Sequence, residues 1–212
     1  EQFQLINKRF ALSLITIIFL VTFGSLFFIH NHSLIAHDES LYGSRARLIL
    51  ENHDWFTPFK KAHHKTIGSY WPTAVSLKIF GINEFSARLP SYIFSIYAQV
   101  VLFRIIKLLS NYQIALISVF LLQSSYLWFS YSNYCSPDTL YVLLNLLGIF
   151  HLLKINQFSK EGPNNRNLFI SGLSFALPFF VRSYMQLLPL ISISPLIFLK
   201  FKKFNFRNYK FF

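Results

Sequence analysis

Five charged side chains set the chemical question: the adjacent carboxylates Asp38 and Glu39, the lysine Lys65, a distant carboxylate Asp138 and the arginine Arg182. They lie at the ends of long apolar runs or between them, where a charge is expensive unless its position is wet or functional. A carboxylate can remove a proton from a hydroxyl or an amine as general base. Lysine and arginine can stabilise the charge that develops on a departing phosphate. The set therefore suits a transfer in which an acceptor is deprotonated and a phosphate leaves. A phosphate needs little protonation to leave, so no paired acid at glycosidase spacing is required. The sequence has no Gly-rich phosphate loop, dinucleotide fingerprint or HExxH pair, and a nucleotide-activated substrate has no evident cradle.

Each residue also has a structural reading. Asp38 can cap a surface helix, and Asp138 can cap the apolar helix that follows it. Glu39 sits roughly 100° around a helix from Asp38, so the two carboxylates do not point at one atom; Glu39 reads as a supporting or metal-proximal group. Arg182 can snorkel to a membrane interface. Tyr42, Tyr70 and Trp71 lie close in sequence to the charged set, as interface anchors or as substrate-proximal rings. His30, His32, His37, His53, His63 and His64 gather in the same stretch, so a divalent metal is possible, although no ligand set is singled out. The single cysteine, Cys135, can form no intrachain disulfide.

What positions these groups is a membrane. Of the 212 residues, 53% are hydrophobic and only 13% charged, against about 25% charged in soluble domains. Phenylalanine alone occurs 26 times. The formal net charge of +12 falls largely between apolar runs, where basic residues set orientation. It is not read as a nucleic-acid surface. The basic, aromatic tail from Lys200 reads as an interfacial anchor on anionic lipid. The chain begins at Glu1, and no cleavable signal peptide is evident.

Apolar runs at residues 10–29, 89–109, 113–131, 139–153, 168–181 and 187–199 predict an all-α, polytopic membrane protein of five to six transmembrane helices. Pro90 is expected to open the second run. A cytoplasmic N-terminus, consistent with Lys8 and Arg9, puts the large first loop (residues 30–88) outside, together with Asp138 and Arg182. Leu41, Tyr42, Arg45, Leu48 and Ile49 recur at helical spacing, which predicts an amphipathic surface helix in that loop. No internal repeat or separate soluble domain is visible, so residues 1–212 read as one module.

The ordered motifs carry a resemblance. Asp38-Glu39 with Tyr42, then ENHDWFTP, Lys65 ahead of Tyr70-Trp71, and FGINEFSARLPS resemble the first outer loop of the polyprenol-phosphate-sugar-dependent glycosyltransferases of the GT-C superfamily. These include the protein O-mannosyltransferases and the aminoarabinose-lipid A transferases. Ser136-Pro137-Asp138 is similar to that family's second acidic position, and Gly172-Leu173 through Val181-Arg182-Ser183 to its Gly-Leu-x-x-Leu-x-Lys/Arg stretch. The resemblance implies a membrane glycosyltransferase, with a polyprenyl-phosphate-linked sugar as donor. The acceptor is a protein, a lipid or a polysaccharide at the outer face of the cell membrane. It further implies one inverting displacement, with Asp38 as base, Glu39 and Asp138 as accompanying carboxylates, and Lys65 and Arg182 holding the phosphate.

Two departures stand out. Lys65-Thr66-Ile67 occupies the place of Lys-Pro-Pro or His-Pro-Pro in many relatives, and family members usually continue through further spans. The chain is therefore expected to correspond to the N-terminal portion of a longer family architecture. A non-catalytic subunit or pseudoenzyme is the first alternative. A small transporter is the second, although it calls for polar residues at mid-membrane depth.

Overall fold

The computed structural model describes residues 2–30, 33–34, 38–59, 65–155 and 165–201, and among these every regular element is helical. Helix α1 (Gln2–His30) carries an apolar stretch at Ala11–Ser25. Helix α4 (Glu84–Leu109) is long and apolar enough to cross a membrane. It starts earlier than Pro90, because the Asn83 side chain caps it by accepting from the Ser86 amide at 2.8 Å. Pro90 thus lies inside the helix rather than opening it.

The third apolar run is not a straight span. Helices α5 (Tyr112–Ser124) and α6 (Tyr126–Asn133) meet at 69°. Between them Ser125 is extended, with φ −69° and ψ 125°, at a Ser-Ser pair of the kind that tolerates sharp breaks. The fifth and sixth runs likewise form one apolar segment, Asn165–Pro195. It comprises α8 (Asn165–Ala176), the single turn α9 (Phe179–Arg182), a 3-10 turn at Ser183–Gln186 and the start of α10 (Leu187–Phe201). By length and composition two described segments can cross a membrane, or three with the bent pair. The apolar runs expected from hydropathy are helical in their described residues, with the third broken and the fifth and sixth joined as one broken segment rather than continuous helices.

Among the described residues the buried hydrophobic side chains form two cores. In the membrane-like part, Ala98, Val101 and Ile105 of α4 pack against Trp128 of α6 and against Leu143, Phe150 and Leu153 of α7 (Asp138–Lys154). Gly148 of α7 lets α8 approach: a Cβ there would lie 2.6 Å from the Phe175 ring. Buried amides add directional links, with Gln99 on α4 donating to Gln123 on α5 at 2.6 Å.

The second core belongs to the polar loop. Helix α2 (Asp38–Glu51) buries Tyr42, Ala46 and Ile49 against Tyr70 and against Ala74 and Leu77 of α3 (Trp71–Phe80), with Ala87 of α4 and Cys135 completing the cluster. This is the expected amphipathic helix, and its apolar face meets protein. The ENHDWFTP motif builds the turn that follows. Asp54 accepts from the Phe56 and Thr57 amides at 2.9 Å, and Trp71 Nε1 donates to the Trp55 carbonyl at 2.7 Å.

Candidate functional site

A small cavity of about 170 Å³ lies where the loop core meets the broken segment, lined by Tyr42, Lys65, Thr66, Val181, Arg182, Ser183, Tyr184 and Met185. Lys65 and Arg182, far apart in sequence, both line it. Each cation holds one of the acidic residues. Lys65 Nζ donates to Asp38 Oδ1 at 2.7 Å and stands 4.5 Å from the centre of the Tyr42 ring. Arg182 Nη2 donates to Asp138 Oδ1, and Asp138 Oδ2 accepts from the Ser136 hydroxyl.

Local structure explains these placements. Asp38 is the first residue of α2 and its side chain is 80% exposed, so α2 presents it at the helix end rather than packing it. Asp138 occupies the first turn of α7, favourable for a negative charge at a helix N-terminus. Arg182 ends α9. The next residue, Ser183, has φ 53°, an uncommon left-handed conformation for a residue with a Cβ. The reversal there turns the chain from α9 into the 3-10 turn beside the cavity.

The electrostatics follow from burial and pairing. Partial burial is the largest influence on Lys65 and works to lower its pKa. The hydrogen bonds to Asp38 and Tyr42 outweigh it and raise the pKa above the ordinary value, so the ammonium is charged at neutral pH. Burial raises the Tyr42 pKa, although the Lys65 hydrogen bond and the nearby Arg182 and Lys65 charges pull it down. Tyr42 is therefore a neutral phenol on the cavity that the two cations line.

Other sequence-predicted residues take different places. Glu39 does not line this cavity. Its side chain is 3% exposed and bound by Arg88, with Nε to Oε1 at 2.6 Å and Nη2 to Oε2 at 3.0 Å. Oε1 also accepts from the Cys135 amide at 2.9 Å. Glu39 thus ties α2 to α4 and to the loop that leads into Asp138. Of the readings given to Glu39, this geometry agrees with a supporting group: it is a buried clamp outside the cavity lining. Tyr70 is wholly buried, its ring 5.5 Å from those of Tyr42 and Phe59. Trp71 packs against Phe56 at 5.8 Å. Neither ring lines the cavity: Tyr70 packs against Tyr42, and Trp71 packs at the edge of the loop core.

Among the described residues no three His, Cys, Asp or Glu side chains gather around a point that could hold a metal. His32, His37, His63 and His64, with the side chain of His30, fall outside the described residues, as does the chain beyond Phe201. Cys135 is fully buried, and burial pushes its thiol up to about 12.

Sequence reasoning missed several residues that build the site. Arg88 carries the clamp. Ser91 donates to the Ser136 carbonyl at 2.8 Å and accepts from its amide at 3.1 Å, fixing the turn before Asp138. Asn145 on α7 and the fully buried Gln186 exchange hydrogen bonds of 3.1 and 2.8 Å, which anchors the segment after Arg182. Arg88 and Ser91 sit within or next to a motif quoted for its order. An unaligned sequence gives no signal for the amide pair.

Comparison with known proteins agrees with this architecture. Residues 64–211 match the family described as dolichyl-phosphate-mannose-protein mannosyltransferase. The undecaprenyl phosphate-alpha-4-amino-4-deoxy-L-arabinose arabinosyl transferase of Wigglesworthia glossinidia brevipalpis is 28% identical over 203 residues, covering 92% of this chain and 35% of that protein. Its Pseudomonas aeruginosa counterpart is 24% identical over 189 residues, covering 83% and 33%. The crystal structure of ArnT from Cupriavidus metallidurans in the apo state superposes with a TM-score of 0.73 at 15% identity, over 93% of this chain and 37% of that one. The same protein bound to undecaprenyl phosphate gives 0.69 at 16% identity, over 91% and 35%. The chain thus spans about a third of the length of these relatives, and at such identities the structural likeness shows the fold: an all-α, polytopic membrane protein.

Proposed function

The chain belongs to the dolichyl-phosphate-mannose-protein mannosyltransferase family, and from that premise we propose that it carries the donor-phosphate site of a membrane glycosyltransferase. The donor is a sugar on a polyprenyl phosphate, and the site faces the outer side of the membrane. The observation that carries this reading is the pair of cations, Lys65 and Arg182, lining one small cavity together with Tyr42. Pockets for drug-sized molecules start at about 300 Å³. A cavity of about 170 Å³ suits a phosphate group, with the polyprenyl chain left in the bilayer. A relative's solved complex with undecaprenyl phosphate supports the ligand class.

The chemistry proceeds by exchange of partners. Lys65 and Arg182 are each held by a carboxylate, and an incoming phosphate competes for both. As Lys65 turns to the phosphate, its hydrogen bond to Asp38 is given up, and Asp38 serves as general base. An acceptor hydroxyl or amine then attacks the anomeric carbon, giving its proton to Asp38. The bond from the anomeric carbon to the phosphate oxygen breaks, and the electron pair leaves with the polyprenyl phosphate. Lys65 and Arg182 stabilise that dianion as it forms. Attack opposite the leaving group inverts the anomeric centre. Glu39, locked by Arg88, positions α2 rather than reacting.

The test is binding before turnover. The chain in detergent is titrated with undecaprenyl phosphate, and Lys65→Ala and Arg182→Ala are compared with the parent. Each hydrogen bond to a charged group contributes about 1.5–3 kcal/mol, so each variant loses roughly tenfold or more in affinity. Equal binding by parent and both variants removes the phosphate from this cavity. Transfer of sugar from a polyprenyl-phosphate donor then decides whether these residues are active alone.

A further inference from the structure

Thr66 is a polar residue of the cavity wall whose chemistry is still unused. It lines the same space as Lys65 and Arg182, and its Oγ1 is buried with no hydrogen-bond partner among the described residues. It stands at the N-cap of the 3-10 turn Ile67–Ser69, in extended backbone with φ −73° and ψ 145°. A threonine there ordinarily caps the turn with its side-chain oxygen, yet this one makes no such bond. Buried hydroxyls are nearly always satisfied, so an orphaned one beside two cations points to an acceptor that comes with a ligand.

We propose that Thr66 is a donor-binding residue whose hydroxyl donates a hydrogen bond to a phosphate oxygen of the polyprenyl phosphate held by Lys65 and Arg182. The proposal rests on the reading of the cavity as the donor-phosphate site. The donor's phosphodiester presents two terminal oxygens and the monoester that leaves presents three, each able to accept more than one hydrogen bond, so two cations leave acceptor capacity unused. A third donor adjacent in sequence to Lys65 fixes the orientation of the group as well as its charge. Threonine χ1 has three staggered wells, so the hydroxyl can turn to the ligand without moving the backbone.

The experiment compares Thr66→Val, which keeps shape and removes the hydroxyl, with Thr66→Ser, which keeps the hydroxyl. The full chain is titrated with undecaprenyl phosphate and, as a neutral counterpart, undecaprenol. Melting of each ligand-free variant is followed in parallel. Thr66→Val is expected to bind undecaprenyl phosphate about tenfold more weakly, with undecaprenol binding unchanged. Thr66→Ser stays within a few-fold of the parent. The melting temperature of Thr66→Val stays level or rises, because a buried hydroxyl without a partner is replaced by a methyl group. A parent that prefers undecaprenyl phosphate while Thr66→Val matches it overturns the Thr66 contact alone. A parent that does not distinguish the two lipids overturns the phosphate site, and the Thr66 contact with it. Loss of binding together with a lower melting temperature assigns Thr66 a structural role and overturns the proposal.

Discussion

Gly68 lies directly under the backbone of Phe180: a Cβ on Gly68 would sit 2.5 Å from the Phe180 carbonyl oxygen. This close approach docks the turn after Lys65 onto the turn that ends at Arg182, and so sets the spacing of the two cations. Backbone cannot yield as a flexible side chain can. Gly68→Ala is therefore expected to destabilise the chain by about 1–3 kcal/mol, in the manner of overpacking, and to weaken undecaprenyl phosphate binding. Gly172→Ala is the control: nothing lies within 4 Å of its added Cβ, and alanine is the better helix former. Thermal melting and lipid titration of both variants check the contrast. Equal behaviour would mean that this contact does not position the site.

The Glu39–Arg88 clamp makes a second expectation. Both side chains are 3% exposed, and removing one partner of a buried pair costs about 3–5 kcal/mol because the other is left as an uncompensated charge. Glu39→Gln should lower the melting temperature sharply, whereas the double variant Glu39→Gln/Arg88→Met should recover part of the loss. Cys135 gives an independent readout, since its buried thiol shares the clamp through its amide. Maleimide labelling under native conditions should be slow in the parent and fast in Glu39→Gln. Slow labelling in both would confine the clamp's effect to stability.

The clamp also shows what the sequence could and could not disclose. Asp38 and Glu39 are adjacent, and helical geometry alone separates their directions. Which of them faces inward depends on Arg88, 49 positions on from Glu39, and no local pattern encodes that pairing. The surface helix was legible because its period shows in five residues, Leu41 to Ile49. The break at Ser125 was not, since hydropathy averages over it: apolar residues continue on both sides while the backbone bends by 69°. Broken spans have the composition of straight ones. The turn at Ser183 escaped for the same reason, as its positive φ falls on an ordinary serine.

The reciprocal amides of Asn145 and Gln186 hold the segment after Arg182 against α7, helped by Tyr141, whose hydroxyl donates to the Met185 carbonyl at 3.2 Å. Gln186→Leu or Asn145→Leu alone leaves one buried amide unsatisfied, at about 1–3 kcal/mol. The double replacement removes both and should be milder than the sum. A double-mutant cycle on melting measures the coupling. Strict additivity would mean that the two amides do not act as a pair.

Lys65 sets a pH dependence. Its pKa is raised above the ordinary 10.5, so the folded chain holds this proton more tightly than the unfolded chain. The stabilisation from its pairing with Asp38 is full below about 10.5 and fades as the pH climbs through the higher folded value. Between pH 7 and 9 the lysine stays charged, so undecaprenyl phosphate affinity should not fall through loss of its proton. Above about pH 10.5 the difference in melting temperature between the parent and Lys65→Met should shrink. A difference that already vanishes by pH 9 would place the folded pKa below the ordinary value.

The last expectation concerns the partner exchange itself. Asp38 and Asp138 occupy the two cations to which the donor phosphate is proposed to bind. Neutralising either carboxylate therefore removes a competitor, and Asp38→Asn and Asp138→Asn should each bind undecaprenyl phosphate at least as tightly as the parent. Their effects on transfer differ. If Asp38 is the base, Asp38→Asn lowers transfer by roughly 10²–10⁴-fold, the usual range for lost general base catalysis. The variant then combines unimpaired donor affinity with slow chemistry, so the loss appears in kcat rather than KM. Asp138→Asn leaves the proton acceptor in place but loosens Arg182 from its carboxylate, and should cost less. Transfer and titration on a preparation with measurable parent activity separate these cases. A variant Asp38→Asn that transfers at the parent rate moves the base to Asp138. A variant that loses donor affinity shows instead that the carboxylate helps to hold the donor, and the exchange of partners is then wrong.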